Sequence, residues 1–421
     1  MLDIKLIRDN PDMVRQAFKN RGETISIDEI LKLDEKHREL IHEMESLRAR
    51  RNEVSKEIGK MKEKPPELMA DMRKIGDQIS ALEAESNNIE SALKDLLLRI
   101  PNIPHADVPV GKDSSDNPTI RTWGGKKQFS FKALPHWELG ERLNIIDFER
   151  GVKLSGTRFY VLKGMGALLQ RALIMFMLDL HIREHGYTEI YPPFMVKREC
   201  LVGSSNLPKF ADNLYHDAEE DYWFVPTAEV PLTNMHRAEI LSAEQLPIYY
   251  VAHTACFRRE KMAAGKDTRG IKRGHQFDKV ELYKFTTAET SMQELESLLA
   301  AAEDVCRKLE LPYRVIQLCT GDIGFASVKS YDIEMWAPGC EEWLEVSSCS
   351  NCWDFQARRA NIRYRPDSKS KPQYVHTLNG SGLALPRVVI ALMENYQRED
   401  GSIAVPDVLK PYMRADMITK P

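Results

Sequence analysis

Cysteine is scarce in this chain, with seven residues scattered over 421 positions. An odd, dispersed set fits a reducing compartment better than a disulfide framework, so a cytoplasmic setting is expected. An excess of one charge is also missing. The net charge of −4 supplies no global attraction for a polyanion, so nucleic-acid binding would have to come from local basic patches. Long apolar runs are absent: the best, Ala172 to Leu180, is bracketed by Arg171 and Asp179, so no membrane crossing is expected. The start, Met1-Leu2-Asp3-Ile4-Lys5, lacks the apolar core of a secretion signal. Two nucleotide-binding signatures fail as well. No Gly-x-Gly-x-x-Gly follows a strand, and Gly151-x4-Gly156-Thr157 lacks the lysine of a phosphate loop. An apolar content of 43% is ample for a large core, and the length suits one large domain and a smaller one.

The strongest pattern is helical. Ile30, His37, Met44, Arg51 and Ile58 recur every seven residues, and Leu33, Leu40, Leu47, Val54 and Met61 form a second row. The device repeats in Leu68, Ile75, Leu82, Ile89 and Leu96, with Met72, Ile79, Ser86, Leu93 and Ile100 beside them. This spacing predicts two coiled-coil helices over about 28–100. Lys64-Pro65-Pro66 between them forbids continuous helix, so the legs form an antiparallel hairpin, an arm of roughly 50 Å at ~1.5 Å per residue. Arg48, Arg50, Arg51, Lys56, Lys60, Lys62 and Lys64 outnumber Glu53, Glu57 and Glu63 on the outer half of the first leg. That stripe suits either a phosphodiester backbone or a solvated, ion-paired coiled-coil face. Arg51, at a core position, is expected to snorkel. Pro101, Pro104, Pro109, Gly111 and Pro118 mark an extended connector, and the domain boundary is placed near residue 110, giving 1–110 and 111–421.

Beyond it, Leu168, Leu169, Ala172, Ile174, Met175, Leu178 and Leu180 predict a buried helix from Gly164 to Glu184, with a strand from Tyr187 to Pro193. Further strands are expected at Ile248–Thr254, Lys279–Thr286, Tyr313–Leu318, Tyr331–Met335 and Glu342–Ser347. They follow one another without regular crossover helices, which predicts an α+β fold with an antiparallel sheet flanked by helices. Asn379-Gly380-Ser381-Gly382 reads as a glycine-rich turn opening a helix at Val388, with Arg387 at its start able to hold a phosphate.

One stretch carries the chemistry. Phe257-Arg258-Arg259-Glu260, a basic loop, and Arg273-x-x-x-Phe277 suit a nucleotide bent toward a carboxylate substrate. The planar fork of Arg258 holds two oxygens at once, Glu260 can receive an exocyclic amine, and Phe277 offers a face for a base. Cys349-x-x-Cys352, with Cys340 nearby, lacks the further ligands that zinc requires, so no zinc is expected.

Together these residues resemble a bacterial-type seryl-tRNA synthetase, a class II aminoacyl-tRNA synthetase, over essentially the whole chain. Gly186-Tyr187-x-x-Ile190-x-x-Pro193-Phe194-Met195 resembles motif 1, which in the family forms a homodimer interface. Arg258 to Phe277 resembles motif 2, and Gly380 to Arg387 motif 3, with Ala384 in place of the third glycine and Pro386 in place of a glutamate. The class I signatures are both missing. The resemblance implies ATP-dependent attachment of L-serine to tRNA(Ser) through seryl-adenylate, and serylation of tRNA(Sec) where that tRNA exists. It implies a serine pocket at Thr227, Ala228, Glu229, Arg258, Glu281 and Ser381. ATP would meet Arg258, Arg259, Glu260, Gly274, Phe277, Glu345, Val346, Ser347, Ser348 and Arg387, with Mg²⁺ on Glu345 and Ser348. Arg258, Glu260 and Arg387 would be catalytic, and Lys261, Lys266, Arg269 and Lys272 would meet the acceptor end or close over ATP. Two rivals are an enzyme that loads amino acids onto a carrier protein and a non-catalytic RNA-binding paralogue.

Overall fold

The computed structural model describes residues 1–61, 65–261 and 269–420. Lys62, Lys64 and Lys266 lie outside them. The chain divides into two compact units, Leu2–Lys19 with Glu23–Pro101, and Asn102–Pro421 with Met1 and Asn20–Gly22.

In the first unit the two legs are helices Asp28–Lys60 and Pro66–Arg99, which pack together. Asp28 and Glu29 in the first turn oppose the helix dipole favourably, and Pro66 occupies a first-turn position where its missing N–H costs nothing. Ile30, Leu40, Met44 and Ile58 of one leg and Ile75, Ile79, Ile89 and Leu93 of the other are buried, as the heptad pattern requires. Met61, in the same rows, is exposed. Ion pairs Lys36–Glu85 (2.5 Å) and Arg48–Glu83 (2.6 Å) span the legs.

The second unit is built on an eight-stranded sheet. Its order is Thr119–Trp123, Tyr313–Gln317, Lys329–Ala337, Glu342–Asn351, His376–Ala384, Gln276–Thr286, Ile248–Phe257 and Thr188–Glu189. Every pairing is antiparallel except the last. Along Gln276–Thr286 the side chains alternate. Val280 and Leu282 join the main apolar core with helices Met165–Arg183, Ser291–Lys308 and Leu385–Asn395. Lys279 and Glu281 therefore face the other side. On that other side Tyr283 and Phe285 pack against helices Glu229–Asn234 and Phe355–Ala360, and the Lys279–Glu281 end can carry a site.

Two local expectations change. The segment 379–384 is not a turn but the end of strand His376–Ala384, deep in the sheet. A Cβ on Gly380 would lie 2.5 Å from Leu298 Cδ2, and one on Gly382 2.6 Å from His181 Nε2, so these glycines let other groups pack onto a strand. The strand expected at Tyr187–Pro193 shrinks to the edge pair Thr188–Glu189, and Thr119–Trp123, exposed along its length, went unpredicted. Helix Met165–Arg183, apolar and long enough by composition to cross a membrane, is the buried helix expected at Gly164–Glu184. It buries Leu169, Leu173, Met177 and Leu180 in the core, each contributing about 1.5–3 kcal/mol.

Candidate active site

On the face of the sheet opposite helices Met165–Arg183, Ser291–Lys308 and Leu385–Asn395 lies a cavity of about 290 Å³. Arg258, at the end of strand Ile248–Phe257, lines it. Its backbone N–H donates to His275 O (2.9 Å), and its Nε donates to Pro226 O (3.1 Å). The guanidinium stands 5.1 Å from the Phe277 ring centroid. Backbone, carbonyl and ring together fix the fork before any ligand arrives. The next turn is strained: Glu260 takes a left-handed φ of 50°, which a side-chain-bearing residue adopts at a cost, and its carboxylate lies 3.6 Å from Arg273 Nη1.

A second group surrounds Glu281, only 2% exposed. Its strand pairs with His376–Ala384 so that Glu281 sits opposite Ser381. Thr227 Oγ1 donates to Glu281 Oε2 (3.1 Å), and Lys279 forms an ion pair with the same carboxylate. Beside it, Glu229 Oε1 accepts from Gln356 Nε2 (2.5 Å) and Asn379 Nδ2 (3.2 Å). Burial, and then the negative Glu281, push the Glu229 carboxyl up to about 7. This is a small, polar recess with acceptors for an ammonium or a hydroxyl.

A third group comes from strand Glu342–Asn351. Glu345 and Ser348 are three apart, which on a regular strand would put them on opposite faces. The ladder with Lys329–Ala337 slips there: Ser347 faces Ile333 and Glu345 faces Glu334, leaving Val346 unopposed. That bulge brings Glu345, Val346 and Ser348 to the same cavity. Arg387, in the first turn of helix Leu385–Asn395, donates to Glu345 O (2.6 Å) and pairs with its carboxylate at 3.3 Å.

The cavity thus gathers Arg258, Glu260, Gly274, Phe277, Glu345, Val346, Ser348 and Arg387 with Thr227, Glu229, Glu281 and Ser381. Three expected residues do not line it. Ala228 is fully buried. Ser347 points away and donates to Ser381 O (2.7 Å). The Arg259 guanidinium lies 5.9 Å from the Tyr215 ring instead. Sequence reasoning missed Lys279 and Ser350. Each lies two residues from a recognised position on the same strand face, so period-two alternation was the available signal. Lys272, assigned to the basic loop, lines the cavity and pairs with Glu342 (2.6 Å).

Side chains able to ligate a metal also lie away from the cavity. Cys349 is buried on its strand, and burial pushes its thiol up to about 12. The described group able to hold a metal is instead His136, Cys340 and Glu394. There Glu394 already accepts from His136 N (2.9 Å) and Nδ1 (3.0 Å), Gly339 N (2.8 Å) and Cys340 N (3.0 Å). Ile271 N–H donates to His136 Nε2 (3.2 Å) and ties the stem of the basic loop to this set.

Residues 210–396 match the family described as "tRNA synthetase class II core domain (G, H, P, S and T)", and residues 1–104 match "Seryl-tRNA synthetase N-terminal domain". A protein named serine--tRNA ligase from Dehalococcoides mccartyi is 63% identical over 99% of this chain and all of its own length. The chain belongs to the seryl-tRNA synthetase family. Its fold agrees with that membership. The seryl-tRNA synthetase of Pyrococcus horikoshii, solved with ATP, superposes with a TM-score of 0.94 at 42% identity, covering 100% of both chains. The cytoplasmic serine-tRNA ligase of Naegleria fowleri, solved with AMP, gives 0.88 at 30% identity over 100% of this chain and 99% of its own. The antiparallel sheet and the helical hairpin are those of this class II group.

Proposed function

We propose that this synthetase activates L-serine with ATP and transfers the seryl group to tRNA(Ser). The observation that carries the reading is the single cavity joining the Glu281–Ser381 recess to the Glu345–Arg387 pair, with the Arg258 fork between two chemistries, one suited to an amino acid and one to phosphates. Thr227, Glu229, Glu281 and Ser381 hold serine's ammonium and hydroxyl. A small polar recess rejects alanine, which would leave these buried groups unpaired, and excludes longer side chains by size. Arg258 binds the serine carboxylate and the α-phosphate, countering charge as the carboxylate attacks phosphorus. Glu260 receives the adenine amine, Phe277 stacks on the base, and Arg387 holds the terminal phosphates. No side-chain nucleophile is required, because positioning and charge neutralisation supply the acceleration.

Glu345 and Ser348 offer one carboxylate and one hydroxyl oxygen brought together by the bulge, a donor set that fits a hard divalent cation. Magnesium held there would neutralise phosphate charge. The first 110 residues serve as the tRNA-binding part and 111–421 as the catalytic part, with the arm gripping tRNA outside the anticodon. Serylation of tRNA(Sec) follows the same reading. Motif 1, with Tyr191 82% exposed, is assigned to a homodimer contact, and the seven free cysteines favour a cytoplasmic setting.

The test is serine-dependent exchange of labelled pyrophosphate into ATP, followed by charging of total tRNA. Both should occur with serine and fail with alanine. Exchange without charging would favour a carrier-loading enzyme, and neither would favour a non-catalytic paralogue.

A further inference from the structure

On the strand beside Glu342–Asn351, Asp332 sits directly opposite Ser348. Cross-strand partners share a face of the sheet, so Asp332 lies on the cavity side, behind the residue that lines it. Ser348 is the hydroxyl side chain that faces it across the ladder. A carboxylate oxygen accepts, so an ionised Asp332 can take the hydrogen of the Ser348 hydroxyl. Asp332 is 8% exposed, and its Oδ1 is buried with no hydrogen-bond partner among the described residues. An unsatisfied buried carboxylate oxygen is costly and uncommon, which marks the position as built for something more than folding.

The surrounding charges sharpen the point. The acids nearest Asp332 are Glu345, Asp322 and Glu334. Glu334 is paired with Arg314, and Asp322 accepts from Asn117 (2.8 Å). Glu345 has Arg387. The next pair along the ladder, Ser330 and Ser350, satisfies itself through one hydroxyl–hydroxyl bond of 2.7 Å and needs no charge. Asp332 is therefore the acid of this face left without a cationic or amide partner among the described residues.

We propose that Asp332 is a positioning residue of the divalent-cation site, taking the hydrogen of the Ser348 hydroxyl and accepting from a water in the cation's coordination sphere. This rests on the reading that Glu345 and Ser348 ligate that cation. A hydroxyl is a good ligand only when its lone pair faces the metal, which requires an acceptor for its hydrogen elsewhere. Magnesium retains several waters, and their hydrogens need acceptors at the distance of a second layer.

The experiment titrates Mn²⁺ into the full-length protein with ATP and without serine, reading free Mn²⁺ by electron paramagnetic resonance. Asp332→Asn, which turns a donor toward the hydration shell, and Asp332→Ala, which removes both acceptors, should each raise the Mn²⁺ midpoint about tenfold, or ~1.4 kcal/mol. Thermal stability should not fall, cation-free ATP binding should stay the same, and pyrophosphate exchange should recover at high Mg²⁺. An unchanged midpoint in both variants, with Glu345→Gln still losing Mn²⁺, would overturn the role of Asp332 alone. An unchanged midpoint in Glu345→Gln as well would overturn the cation site and this inference with it.

Discussion

At the scale of single residues, geometry matters more than charge. Arg258 is held by Pro226 O and by Phe277, so the value of the fork is its fixed plane. Arg258→Lys keeps the charge and loses the bidentate reach, and should lower kcat for pyrophosphate exchange by about 10²–10³, the effect of losing one transition-state donor. Glu229 makes a different prediction. Its carboxyl is pushed up to about 7, above the ordinary 4.5, so the folded protein holds that proton more tightly than the unfolded chain. Its contribution to stability is whole below 4.5 and is lost as pH rises through about 7. Urea unfolding across that range should show the wild type losing stability relative to Glu229→Gln, at up to about 1.4 kcal/mol per pH unit. A constant difference would contradict the burial argument.

Strands and helices act through what packs on them. His181, on the core helix, meets Gly382 O through Nε2 at 3.0 Å. A carbonyl only accepts, so Nε2 carries the hydrogen, and Nδ1 accepts from His185 Nδ1 at 2.9 Å. Burial lowers the His181 imidazole to about 4. The unfolded chain therefore binds this proton first, and the contribution of His181 to stability, present above 6.5, falls away as pH drops toward about 4. Gly382→Ala places a Cβ 2.6 Å from that nitrogen and 3.1 Å from Leu282 Cγ. It should cost about 1–3 kcal/mol in thermal unfolding and raise KM for serine through its neighbour Ser381. In the arm, Ile79→Ala empties a seam position that is 3% exposed and should cost about 2–5 kcal/mol of arm stability, read as lost helical signal on heating. Pyrophosphate exchange should be unchanged.

For the molecule as a whole, the proposed division of labour can be tested by removal. Deleting Leu33 to Leu96 should spare adenylate formation and abolish transfer to tRNA; normal transfer by the shortened protein would refute the role given to the hairpin. The basic stripe is partly spoken for, since Arg48 pairs with Glu83 across the legs, while Arg50, Lys56 and Lys60 are exposed. Substituting those three should weaken tRNA binding and flatten its salt dependence, each lost phosphate contact reducing the slope by about 1.

The amino-acid sequence by itself settled whatever depends on local period and chemistry. The heptads of Ile30 to Ile58 and Ile75 to Leu93 dictate the hairpin, and the strand character of Lys279–Thr286 and Glu342–Ser347 places two strands of the sheet. The order of Arg258, Glu260, Arg273 and Phe277 already announced a site for nucleotide and acid. Only tertiary structure decided which of those residues meet. Glu345 and Ser348 share a cavity because their strand bulges against its neighbour, and Gly380 and Gly382 became strand because Leu298, Cys349 and His181 press on them. Register and bulges are properties of two strands together, so no single run of residues contains them.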